Sequence, residues 1–214
     1  MPIQILGDDN SSVLTVDPMF KAARVSLRPP EILSWNSLGA QSGALTGAAA
    51  NAPVFAMRNI GNNLLMVRRI GIGFVTTTAF TAAQRVDFGL YPCRSFTASD
   101  TAQTAIVVTG NNLKHRTSLA TFSSIDMRIS NTAAITLGTR TPDTNPMSQV
   151  GGWSGGAGTT IITAQDNLLQ HGAGDYPLIL ANNEGLEIQN LTAMGAVGVG
   201  TLYVNIEFAE AAAY

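Results

Sequence analysis

The sequence predicts an all-β fold, a two-sheet antiparallel sandwich of jelly-roll type, and three observations lead there. Short runs of alternating or wholly apolar residues recur from Pro53 onward, separated by Gly, Asn, Thr and Ser. Scarcely any stretch carries the 3.6-residue period of an amphipathic helix. The chain has 214 residues, enough for one large domain with a sizeable core.

In chain order, residues 1–50 are expected to form an extended N-terminal arm and residues 51–214 the sandwich. Within the arm, Asp17 can cap a short helical turn over residues 18–23, with Pro18 at its first position. Pro29-Pro30 stops any helix there. "SLGAQSGALTGAAANAP" follows, a stretch of small residues without a period.

Strands are expected near residues 54–58, 64–77, 85–91, 105–109, 124–130, 159–163, 177–181 and 186–191. The final one, "TLYVNIEFAEA", alternates so regularly that Leu202, Val204, Ile206 and Phe208 must share one face, with Tyr203, Asn205 and Glu207 on the other. Gly71 and Gly73 predict a bulge, or a bend where the long second strand changes sheet. Residues 131–158 read as a long loop. In "LILANNEGLEIQN" the four residues from Asn182 to Gly185 predict a hairpin around a type I turn, with Gly185 at positive φ and the Glu184 carboxylate in solvent.

Composition narrows the function. Only 12% of residues are charged and 45% are hydrophobic, lean in charge for a soluble domain. Such a chain is expected either to hide much of its surface in an assembly or to sit among partners. Ten of the twelve basic residues are arginine, leaving only Lys21 and Lys114, a skew that interfaces share. A net charge of −2 offers no basic field for nucleic acid, and Arg68-Arg69 is a pair, not a cluster. Cys93 alone cannot form an intramolecular disulfide, and His115 and His171 give no zinc spacing. No apolar run has the length of a membrane span, and "MPIQILGDDN" lacks the form of a signal peptide.

The candidate chemistry is thin. "GGWSGGAGTT" has no lysine for a phosphate loop, and "GAVGVG" leads into a strand where a dinucleotide fingerprint needs a helix. No nucleophile elbow accompanies the histidines, and Cys93 reads as a small buried hydrophobe. Glu184 with Asp166 or Asp175 is the nearest thing to a glycosidase pair, yet all three fit turns, and the alternating carboxylates of a calcium loop are absent. Catalytic, metal and cofactor sites are therefore not expected. Trp35, Trp153 and Tyr176 are candidates for a sugar platform, and Trp153, set among glycines, equally suits a subunit contact.

"VDPMFKAARVSLRPPE", "PVFAMRNIG", "LLMVRRIGIGFVTTTAFTAAQRVDFGLY" and "YPLILANNEGLEIQN" followed by "GTLYVNIEFAEA" resemble, in texture and segment order, virion structural proteins encoded in the head gene regions of tailed bacteriophages. The resemblance implies a capsid decoration or cement protein, commonly a trimer, that grips the outer surface of the head. Its partner would be the major capsid protein, and it would be assembled into virions in the host bacterial cytoplasm. Phe20, Arg24, Arg28 and Trp35 of the arm, and Trp153, are the expected subunit or capsid contacts. The alternatives are a phage tail or receptor-binding module and a carbohydrate-binding β-sandwich.

Overall fold

The computed structural model describes residues 35–108, 125–132, 134–136, 138–154, 166–171 and 177–211. Among them there is no helix, and twelve strands form two antiparallel sheets packed as a sandwich. They are β1 (Asn36–Gln41), β2 (Ala52–Asn59), β3 (Leu64–Thr78), β4 (Gln84–Ala98), β5 (Thr104–Ile106) and β6 (Ile125–Ile129). The second half supplies β7 (Thr139–Pro142), β8 (Ser148–Ser154), β9 (Asp166–Gln170), β10 (Leu178–Leu180), β11 (Gly185–Asn190) and β12 (Val199–Ala211).

The five-stranded sheet runs β1-β12-β3-β10, with β9 on the same edge of β3 as β10. The seven-stranded sheet runs β5-β6-β2-β11-β4-β7, with β8 also on β4. The strands β3 and β4, fifteen residues each, are long enough to carry two short partners end to end. Their inward side chains meet across the core, where the rings of Phe74 and Phe88 lie 5.6 Å apart in a tilted pair.

The alternation expected of the last strand is present in β12. Leu202, Val204, Ile206 and Phe208 are buried and Tyr203 is exposed. Burying each of the four stabilises the sandwich by about 1.5–3 kcal/mol. Phe55, Met57, Leu90, Leu186 and Ile188 face them from the seven-stranded sheet.

Four features differ from the sequence expectations. First, β3 stays in one sheet, and against β12 it has two extra residues: Thr77, because Val199 pairs with Thr78 and Gly200 with Thr76, and Arg68, because Glu207 pairs with Arg69 and Phe208 with Val67. Gly71 does adjoin a shift, but on the other edge, where Leu168 of β9 is the unpaired residue. Second, residues 131–158 are not one long loop, since β7 and β8 lie within them. Apolar patterning hides both, as "TRTP" and "SQVGGWS" offer few inward hydrophobes.

Third, residues 36–41 of the expected arm form β1, which pairs along β12 from Asn36 opposite Phe208 to Gln41 opposite Tyr203, and Leu45 bridges to Gly200. Residues 1–34, with the expected helical turn, lie outside the described residues, as does the strand expected at 159–163. Fourth, the Asn182–Gly185 stretch is not a hairpin. It carries the chain from β10 in one sheet to β11 in the other.

Candidate functional site

At that corner the Glu184 N–H donates to the Ala181 carbonyl at 3.0 Å, and the Ala181 N–H donates back to the Glu184 carboxylate at 2.8 Å. Glu184 thus closes its own turn and does not project freely into solvent. The residue at positive φ is Asn183, at 61°, not Gly185. Arg58 clasps the Asn183 side-chain oxygen at 2.7 Å, and backbone bonds from Asn59 and Phe96 to the corner carbonyls fix it to both neighbours. Gly185 is required for a different reason: a Cβ there would stand 2.3 Å from the Met57 carbonyl oxygen and 2.6 Å from the Phe96 ring. The other members of the expected carboxylate group, Asp175 and the side chain of Asp166, lie outside the described residues.

Beyond the corner, β11 is buried on both faces. Leu186 and Ile188 enter the core, as their alternation requires, but Glu187 and Gln189 are also covered. Their cover is the pair of segments that carry Asp100 and Ile135, held down where the Ile135 N–H donates to the Pro53 carbonyl at 2.7 Å. Beneath it the Arg140 guanidinium from β7 joins Asp100 on one side and Glu187 on the other. The Gly138 N–H donates to Asp100 at 2.9 Å, and the Gln189 amide donates to Glu187. The Arg140 guanidinium also lies 5.3 Å from the centre of the Phe96 ring.

Cys93 and Tyr91 border this cluster. Burial first, and the Glu187 charge second, push the Cys93 thiol up to about 12 and raise the Tyr91 hydroxyl. A thiol so raised stays protonated near neutrality and is a poor nucleophile. The ionic cluster is architecture: it ties β4, β7 and β11 to the loops that cover them.

A concave feature that faces solvent lies at the other end of β4. Strand β8 turns Val150 and Ser154 inward and Gln149, Gly151 and Trp153 outward. Register sets Trp153 opposite Arg85, Gly151 opposite Asp87 and Gln149 opposite Gly89. Because Gly151 has no side chain, the Asp87 carboxylate leans into the vacated space; a Cβ on Gly151 would come within 1.8 Å of its Oδ1. The result is a pocket of about 200 Å3 walled by Arg85, Asp87, Gln149 and Trp153. Asp87 is only 3% exposed, whereas Trp153 is 67% exposed. One carboxylate oxygen of Asp87 receives Arg85 and the Thr192 hydroxyl, the latter at 3.0 Å. The other, Oδ1, has no hydrogen-bond partner among the described residues.

Trp153 is the pocket residue that sequence reading singled out. Arg85, Asp87 and Gln149 were missed because β8 reads as loop, although the i, i+2, i+4 spacing of Gln149, Gly151 and Trp153, beside "RVDFG", was an available signal. Trp35 lies far away along the chain, half-buried, with the Arg68 guanidinium 4.5 Å above its ring. The β3 bulge brings Arg68 and Arg69 together to the same carboxylate, Glu207, at 2.8 and 3.9 Å. Phe20, Arg24 and Arg28, together with His115 and Tyr176, lie outside the described residues. His171 is described, but among the described residues no three His, Cys, Asp or Glu side chains converge as a metal site would require.

No protein-family model, curated protein or solved structure matches this chain.

Proposed function

We propose that the chain is a structural protein of a tailed-bacteriophage virion, a decoration or cement protein built as a jelly roll that binds the outer surface of the head. The observation that carries this reading is the strand order. An eight-stranded jelly roll follows from a long antiparallel hairpin, in which strand 1 pairs with 8, 2 with 7, 3 with 6 and 4 with 5, rolled into sheets ordered 1-8-3-6 and 2-7-4-5. Here β1, β2, β3 and β4 take the first four places, β7 with β8 the fifth, β9 with β10 the sixth, and β11 and β12 the last two. The observed orders, β1-β12-β3-β10 and β2-β11-β4-β7, then follow that scheme, with β5 and β6 extending the second sheet beyond β2.

Jelly rolls recur in viral capsid proteins and in lectins. The lean charge, the excess of arginine over lysine and the segment-by-segment resemblance favour the capsid side. In this reading the protein is a homotrimer, and the arm with Phe20, Arg24, Arg28 and Trp35 grips neighbouring subunits or the major capsid protein. The chain acts by binding, without a cofactor and without catalysing a reaction.

The test is to add purified protein to heads that lack it. Saturable binding that raises the temperature at which the heads release their DNA supports the reading. Failure to bind heads, with binding to isolated tails instead, would move the protein to the tail or receptor-binding class.

A further inference from the structure

The geometry points to a saccharide-binding site on the outer face of β4 and β8, centred on Trp153 and Asp87. Four features of the pocket converge on that ligand class. An indole standing two-thirds exposed offers a flat apolar face, which suits the C–H face of a sugar ring. Beside it, the Asp87 carboxylate keeps Oδ1 without a hydrogen-bond partner among the described residues, while Oδ2 is held by Arg85 and Thr192. A buried acceptor left unpaired is costly, and a ligand hydroxyl admitted by a small rearrangement over Gly151 would satisfy it.

Arg85 and Gln149 add donors on either side, and both are exposed at the rim. The pocket, about 200 Å3, falls below the few hundred Å3 typical of drug-sized ligands. It therefore suits one ring of a glycan and not a long stretch of chain. The mix of one aromatic plate, one anchored carboxylate and a few neutral or cationic donors selects a neutral, hydroxyl-rich ring. A phosphorylated ligand would meet the Asp87 charge.

This site does not rest on the virion reading. A head protein could carry it or lack it, and the two ideas fail separately.

The experiment follows Trp153 fluorescence in the full chain with Trp35→Phe, so that one indole reports. Glucose, galactose, mannose and N-acetylglucosamine are titrated to about 10 mM, ten times a millimolar Kd. A saturable change with at least one sugar is expected. By calorimetry, affinity for that sugar should fall at least about tenfold in Trp153→Ala, and also in Gln149→Ala, whose exposed side chains can be cut back without unfolding the sandwich. Asp87→Asn should weaken binding as well, and a thermal melt shows whether that variant still folds. Two results would overturn the assignment. One is a flat titration with every sugar. The other is binding that survives Trp153→Ala unchanged, which would place the sugar elsewhere. If the titration is flat and Trp153→Ala instead abolishes self-association or head binding, Trp153 is a subunit contact.

Discussion

Glu184 and Gly185 are neighbours with opposite tolerances. Glutamine at 184 keeps an oxygen for the Ala181 N–H, so Glu184→Gln should leave the melting temperature nearly unchanged. Glu184→Ala removes that bond and should cost about 0.5–1.5 kcal/mol. Gly185→Ala, though smaller in chemistry, pushes a methyl into the Met57 carbonyl and the Phe96 ring and should cost about 1–3 kcal/mol. Thermal melts of the three variants give the order; a Gly185→Ala protein as stable as wild type would refute the close approach. Cys93 makes a second prediction at this scale. Its folded pKa, near 12, lies above the reference value of 9.0, so the folded state holds a proton that the unfolded state releases. The stabilisation is complete below pH 9 and is lost as pH rises toward 12. Tyr91, also raised, acts in the same direction above its reference value of 10.0. Urea titrations between pH 7 and 11 should show stability falling on the alkaline side, less steeply in Cys93→Val.

Among the elements, those with one wet face and one apolar face were legible in advance. Alternation in β12 announced its inward residues because the opposite face meets water. The same logic misled for β11, where Glu187 and Gln189 sit on the polar beat of the pattern and yet are buried. Their partners, Arg140 and Asp100, are distant in sequence, so no local period encodes the cluster. For β7 and β8 the difficulty was composition: Gly, Thr and Ser signal loops, and only pairing with β4 makes these residues strands. The pocket was lost with β8. Removing the shared cation should expose the cluster's weight. Arg140→Met leaves two buried carboxylates facing each other and should destabilise by about 3–5 kcal/mol. Neutralising both as well, with Asp100→Asn and Glu187→Gln, should restore part of the loss. Denaturant midpoints of the single and triple variants decide it, and an additive result would show that the three groups do not act as a unit.

For the whole molecule, the sandwich class was readable from strand texture, whereas the strand that lies within the expected arm was not. Asn36–Gln41 looks like a run of small and polar residues, and its place is set by β12 lying beside it, a contact more than 160 residues away in sequence. A truncation that tests the arm must therefore stop at residue 34, because cutting at 50 removes an edge strand as well. Removal of residues 1–34 should abolish head binding and leave the melting of the sandwich close to that of the full chain. Saturation of heads by the truncated protein would end the role given to Phe20, Arg24 and Arg28. Light scattering of the free protein at micromolar concentration should give a trimer, since the exposed Val107, Val197 and Met147 need covering somewhere.

The central claim, that this chain is a component of the head surface, is tested most directly by counting it. Virions carrying its gene are purified, split into heads and tails, and analysed by gel densitometry against the major capsid protein. The account predicts that the chain stays with the heads in a fixed, high ratio to the shell subunit. Recovery with the tails at a few copies per particle, or absence from the virion, would contradict it.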